Sequence, residues 1–283
     1  IAQGLDYGQP DDPNVGYVFL MELETDDTVG YIDFLTPAAQ TFSIPNDVNT
    51  HSGSVETEHY VEAGRHYWEY RAKFASASGL LDYGDGTYTI TLNYIGGSSQ
   101  QTSIWFGIPG TTNYIPQPTQ EPVLTYPAHN GAAASPLIFA WQACTDTDAN
   151  SIWLDLEKQG VDEIVEMDFP VSATSSDPCE LSEGTWEAEL GFGHGYETNS
   201  AEGVPVSVGK GTISNYVFEV VIPYHSGDQN EDYVIDDAEL LDYIDLWILD
   251  QVGDFELLDT IDLWAAGHYY WDPYDQKFKP GTP

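Results

Sequence analysis

The chain reads as mainly β: two antiparallel β-sandwiches in tandem, closed by a small C-terminal helical hairpin. Three observations predict this. Short apolar runs of period two, separated by Gly, Pro, Asp and Asn turn signals, recur from about residue 15 to residue 222. A proline-rich stretch at residues 109–122 interrupts them once and divides the strands into two sets. Beyond residue 225 the apolar spacing becomes helical, and Ile235–Trp247 recurs as Val252–Trp264.

The first set spans residues 15–108, after a Gly-, Pro- and Asp-containing arm at residues 1–14. Its opening run, Tyr17 to Leu23, is apolar on both strand faces, so it calls for cover on both sides. Val29–Leu35 and Gln40–Ile44 follow. A clean alternation then puts Trp68, Tyr70, Ala72 and Phe74 on one face and Glu69, Arg71 and Lys73 on the other. Asp85-Gly86 turns the chain into Tyr88, Ile90, Leu92 and Tyr94, and Gly96-Gly97 turns it again into Ile104, Phe106 and Ile108. This Gly-x-Tyr-x-Ile-x-Leu pattern with its glycine hairpin resembles the last two strands of bacterial Ig-like domains.

The linker at residues 109–122 is expected to be stiff and to hold its neighbours at a fixed spacing. The second set, residues 123–224, opens with Pro122-x-Leu124-x-x-Pro127 and Pro136-Leu-Ile-Phe-Ala-Trp141. Those openings look like the first strands of fibronectin type III and related modules. That resemblance places Trp141 in the core. Further strands are predicted at Ile152/Leu154/Leu156, Ile164–Phe169, Trp186/Ala188/Leu190/Phe192, Val204–Val208 and Tyr216/Phe218/Val220/Ile222.

In the last segment, residues 225–283, the two repeat copies place Leu240, Leu241, Ile244 and Trp247, then Leu257, Leu258, Ile261 and Trp264, on helical stripes. The turn between them is expected at Gln251–Gly253. Ahead of the first copy, Asp228, Asn230, Asp232, Val234 (by its carbonyl), Asp236 and Glu239 stand at the ligand positions of a twelve-residue calcium loop. Tyr233 occupies the position where such loops turn sharply on Gly. Residues 228–266 thereby resemble the first half of a dockerin, and the resemblance implies an EF-hand-like calcium site. The second copy lacks the ligand run. The aromatic tail, His268 to Phe278, is expected to pack back on a domain.

Composition narrows the function. Seven basic residues against 47 acidic ones give a formal charge of -40, which excludes nucleic acid as a partner. No run of 18 apolar residues exists to cross a bilayer as a helix. The chain opens Ile1-Ala2-Gln3, as a mature secreted chain does, and its two cysteines, Cys144 and Cys179, are expected to form a disulfide.

Other polar groupings have plainer readings. Asp146-Thr-Asp148-Ala-Asn150 reads as a turn, as does Asp82-Tyr-Gly-Asp85. Glu56, Glu58, His59, Glu62 and His66 read as surface residues, because no helix carries them at zinc-ligand spacing. No nucleophile elbow or phosphate loop occurs, and acidic pairs are so frequent that spacing singles out no acid–base couple. Most aromatic rings fall on alternating core faces; Trp105, Trp153 and Trp271 fall outside them.

These readings predict an extracellular, non-catalytic structural subunit of a filament or surface layer, stabilised by calcium, with other copies of itself as partners. Tyr17, Phe19, Met21 and Leu23 would form the strand donated to a neighbour. The alternative is a monomeric module that binds polysaccharide or docks on a cohesin-like partner.

Overall fold

The computed structural model describes the chain apart from residues 11–15, 26–28, 47–49, 53–54, 63, 162, 250 and 283, and apart from the side chains of residues 50–52 and 62. It is mainly β, with two sandwiches and two C-terminal helices, as the alternation predicts.

The first sandwich contains β1 (Ala2–Asp6), β2 (Gly16–Thr25), β3 (Val29–Leu35), β4 (Thr41–Pro45), β5 (Thr50–Ser52), β6 (Val55–Glu62), β7 (Arg65–Phe74), β8 (Gly86–Tyr94) and β9 (Ser99–Phe106). One layer runs β4-β3-β8-β9; the other is β1-β2-β7-β6-β5. Because side chains alternate across a strand, Phe19, Met21, Trp68 and Tyr70 meet Ile32, Phe34, Tyr88 and Ile90 between the layers. Residues 77–83 form a short 3-10 turn that inserts Tyr83 into this core, where it stacks on Phe19 at 4.4 Å.

The second sandwich contains β10 (Leu124–Tyr126), β11 (Gly131–Ala134), β12 (Ala140–Trp141), β13 (Ser151–Lys158), β14 (Ile164–Pro170), β15 (Gly184–Asn199) and β16 (Pro205–Val221). Ile152, Leu154, Leu156, Trp186 and Phe218 bury against Leu137, Phe139 and Trp141. Trp141 is buried as the fibronectin-like opening implied, and its indole N–H donates to the Ala173 carbonyl at 2.9 Å.

The two sandwiches are not beads on a string. Among the described residues one sheet runs β14-β13-β15-β16-β1-β2-β7-β6-β5 through both, with β11 also paired to β16. The joint is the parallel pairing of β1 with β16, Ala2 to Asp6 against Gly209 to Ile213. The expected separate strands at 204–208 and 216–222 are one 17-residue strand, whose near end packs Val206 and Val208 into the first core. Glycines at 209 and 211 do not break it, because β15 on one side and β1 on the other supply ladder partners throughout.

The expected arm and linker are therefore strands and clamps. Of the arm, Ala2–Asp6 is β1, while residues 11–14 lie outside the described residues. Within the linker Ile115 is buried in the first core, and Gln117 donates to the Gly211 carbonyl at 3.0 Å. The Asp146 carboxylate accepts the backbone N–H groups of Thr119 at 2.7 Å, Gln120 at 3.1 Å and Asp148 at 2.9 Å. These bonds hold its pKa below the usual carboxylate range, and Asp146–Asn150 is the turn expected. Spacing between the sandwiches is thus set by the shared sheet as well as the linker.

The expected disulfide is corrected, and the strand expected to be donated is found paired within its own chain. The strand carrying Tyr17, Phe19, Met21 and Leu23 has both edges filled by its own chain, β1 on one side and β7 on the other. Phe19 and Met21 are core residues, so donating this strand to a neighbour would open the first sandwich. Cys144 and Cys179 are free thiols. Cys179 sits opposite Leu137, bonded in both directions at 2.8 and 2.9 Å. Cys144 lies seven residues further along, roughly 20 Å if extended, whereas a disulfide needs Cα atoms within about 7 Å.

Candidate functional site

The C-terminal unit is built from α1 (Asp237–Ile248), α2 (Asp254–Ala266) and a hairpin of β17 (Tyr269–Asp272) with β18 (Lys277–Pro280). The tail packs back as expected: Tyr269 is buried with Ile235, Leu240 and Leu263 in a small separate core, and Phe278 packs against it.

The twelve-residue loop is closed by its own carboxylates. Asp228 Oδ1 accepts from the backbone N–H of Glu231 at 2.8 Å and of Asp232 at 3.3 Å. Its Oδ2 accepts from the N–H of Tyr233 at 2.9 Å and from the Tyr269 hydroxyl at 2.6 Å. Glu239, at the other end, takes the N–H groups of Gln229 at 2.8 Å and Asn230 at 3.1 Å on Oε1, and that of Asp236 at 3.0 Å on Oε2. Asp236 caps α1 through Ala238 and Glu239 at 2.7 and 2.9 Å, completing a reciprocal capping box. Asp232 accepts from Val234 N–H at 3.0 Å. Burial and the neighbouring Asp228 carboxylate push the Tyr269 pKa up, so its hydroxyl stays a donor.

Measured against a calcium loop, the backbone turns as required, while the carboxylates are engaged by donors of the loop itself. Tyr233 has φ 62°, the left-handed turn that the sixth loop position requires, reached despite its Cβ. Yet the lone pairs of Asp228, and three of those on Glu239, are occupied by N–H and O–H donors. An ion would have to displace them. Among the described residues no three His, Cys, Asp or Glu side chains group as a cation site.

The helical pair departs from the stripes read in the sequence. Tyr243, Thr260 and Leu263 are buried with Leu240, while Leu241, Trp247, Leu258 and Trp264 are exposed. The two tryptophans are instead tied by a reciprocal lock: Trp247 Nε1 donates to Asp254 at 2.8 Å, and Trp264 Nε1 to Asp237 at 2.9 Å. Asp237 and Asp254 stand at equivalent places in the two copies, as do the tryptophans, so the duplication encodes an approximate two-fold pair. That repeat was the available signal for the lock.

What remains, among the described residues, is a set of large apolar side chains of this unit left in solvent. Phe255 is 87% exposed, Ile248 66%, Leu249 65% and Leu241 62%. The two helices carry eight carboxylates and no Lys or Arg. The remaining candidates fall elsewhere. His59 and His66 bond ring to ring at 2.8 Å, with His59 stacked on Trp68 at 4.1 Å. Asp85 pairs with Lys210 at 2.7 Å. The Glu62 side chain lies outside the described residues.

No protein-family model matches the chain, and no curated protein matches it. Among solved structures it is similar to the FN1–FN3 domains of chicken CNTN1, at 9% identity and a TM-score of 0.25, covering 72% of this chain and 64% of that one. It is also similar to the fibronectin(III)-like modules of Clostridium thermocellum CbhA, at 15% identity and a TM-score of 0.22, covering 75% and 88%. A third is Dpr2 Ig1-Ig2 in complex with DIP-Theta Ig1-Ig3, at 15% identity and a TM-score of 0.21, covering 73% and 61%. At scores this low the fold rests on the chain's own strand pairing.

Proposed function

We propose that this chain is a non-catalytic, extracellular attachment protein whose C-terminal helical pair docks on another protein. The observation that carries the reading is the surface just described, with Leu241, Ile248, Phe255 and Leu258 left in solvent. A soluble chain rarely exposes so many large apolar groups on one small unit unless another surface covers them. Seven of the eight helix carboxylates are exposed, all but the buried Glu239, and they give the partner its chemistry: an apolar surface rimmed by Lys and Arg. They also argue against a second copy, since two chains of charge -40 would bring like charges together at this face. The strand-donation form of the filament reading has no comparable support, because β2 is already paired on both edges within its own chain.

The experiment places a photo-reactive amino acid at position 255, captures the neighbour in the native extracellular fraction, and titrates that neighbour in purified form. Wild-type binding that is lost in the Phe255→Ser/Leu258→Ser variant, at unchanged melting temperature, supports the reading. Equal affinity of variant and wild type refutes it.

A calcium ion in the 228–239 loop is proposed on the ligand spacing and the left-handed Tyr233 alone. A melting temperature that falls with EDTA and recovers with calcium supports it. Identical melts with and without EDTA, and no calcium by elemental analysis, refute it.

A further inference from the structure

The shared sheet has a second face, opposite the two cores, and it holds a trough of about 570 Å³. Its floor exists because side chains are missing. Gly193, Gly211 and Gly4 lie in register on β15, β16 and β1, flanked by Gly195, Gly209 and Ala2. Val18 and Lys73 continue the first row on β2 and β7, so the trough crosses five strands, about 19 Å at ordinary strand spacing.

One wall is Trp153. Its indole lies across the glycines so closely that a Cβ at Gly191 would come within 2.0 Å of the ring, and one at Gly193 or Gly211 within 2.7 Å. The glycines therefore seat the ring, and Glu189 accepts from its Nε1 at 3.4 Å. The opposite wall is apolar, Val18 and Leu20, the outward face of the strand that is apolar on both sides. That run calls for cover on both faces, and on this one Val18 and Leu20 are only half-buried.

We propose that this trough binds a neutral oligosaccharide chain, with a sugar ring stacked on Trp153. The trough falls within the size range of small-molecule sites, ~300–1,000 Å³. Its lining alternates apolar surface with hydrogen-bonding groups, as a sugar alternates C–H faces with hydroxyls. Glu22 and Glu189 offer acceptors, Arg71 and Lys73 donors. This mixture of signs, in a chain of charge -40, disfavours an anionic polymer, while Arg71 and Lys73 on one wall disfavour a cationic peptide. The site is on a different face from the helical pair and stands or falls independently of it.

The test titrates the intact chain with cellohexaose, xylohexaose and mannohexaose by calorimetry, with polygalacturonate and pentalysine as charged competitors. At least one neutral hexamer is expected to bind, and Trp153→Ala to weaken it at least tenfold. Glu189→Gln is expected to weaken it severalfold, and Trp271→Ala, outside the trough, to leave it unchanged. Hydrogen exchange on the wild type supplies a readout free of folding artefacts: bound sugar should slow amides in residues 150–153 and 191–195. Three outcomes overturn the proposal: binding of pentalysine or polygalacturonate but no neutral hexamer, wild-type affinity in Trp153→Ala, or protection confined to other segments.

Discussion

Asp155 offers a sharp test of the electrostatics of the shared sheet. It faces Glu189 across β15 and Glu166 across β14, and it also feels Asp168 and Glu22. Burial first, and then these neighbouring carboxylates, push its pKa from the ordinary 3.8 up to about 7. A carboxyl raised in this way favours the folded state most when protonated. Its contribution is complete below about pH 4 and is lost as pH rises through 7. The full linkage over that span is ~4 kcal/mol; Asp155 is only partly buried, and solvent screening reduces this to about 2 kcal/mol. Asp155→Asn removes the effect. The variant should match the wild type near pH 4 and exceed it at pH 8 by about 2 kcal/mol, or roughly 3 °C in melting temperature for a chain of this size. Thermal melts of both proteins from pH 4 to pH 9 read this directly. A difference that does not change with pH would refute the reasoning.

Other expected outcomes follow from single contacts. Asp228→Ala strips acceptors from three loop N–H groups and the Tyr269 hydroxyl, and should cost on the order of 3 kcal/mol in chemical denaturation in the absence of calcium. Gly191→Ala forces the Trp153 ring off its seat and should destabilise by about 1–3 kcal/mol, with a blue- or red-shifted tryptophan emission as the local signature. A thiol assay on the unfolded, unreduced chain should find both Cys144 and Cys179 reactive; none reactive would restore the disulfide. Incubation with the neutral hexamers should release no new reducing ends. Release that disappears in Glu189→Gln would contradict the non-catalytic reading.

Much of the fold was legible because each signal was local. Period two gave the core faces of β7 and β8, and the 17-residue duplication gave both helices and their turn. What escaped is non-local. Nothing in Ala2–Asp6 announces that it pairs in parallel with residues some two hundred positions away, and so the arm and the linker looked like separators. Glycines 191, 193, 195, 209 and 211 carry no signal of their own in the sequence, and only the register of three strands shows that they leave room for Trp153 and the trough. Trp153 itself was legible as a ring off the core face. The helical stripes were half right: spacing found the apolar residues, but their sides were decided by Asp237 and Asp254, which hold Trp264 and Trp247 outward. The cysteine pairing failed because an even count carries no register.

The attachment reading is tested most directly by the salt dependence of binding between the intact chain and its purified partner. Affinity should fall steadily from low to high ionic strength, as carboxylate-framed docking requires, and should be lost in Phe255→Ser/Leu258→Ser at every salt concentration. Affinity that is indifferent to salt, or that survives the double substitution, would contradict it.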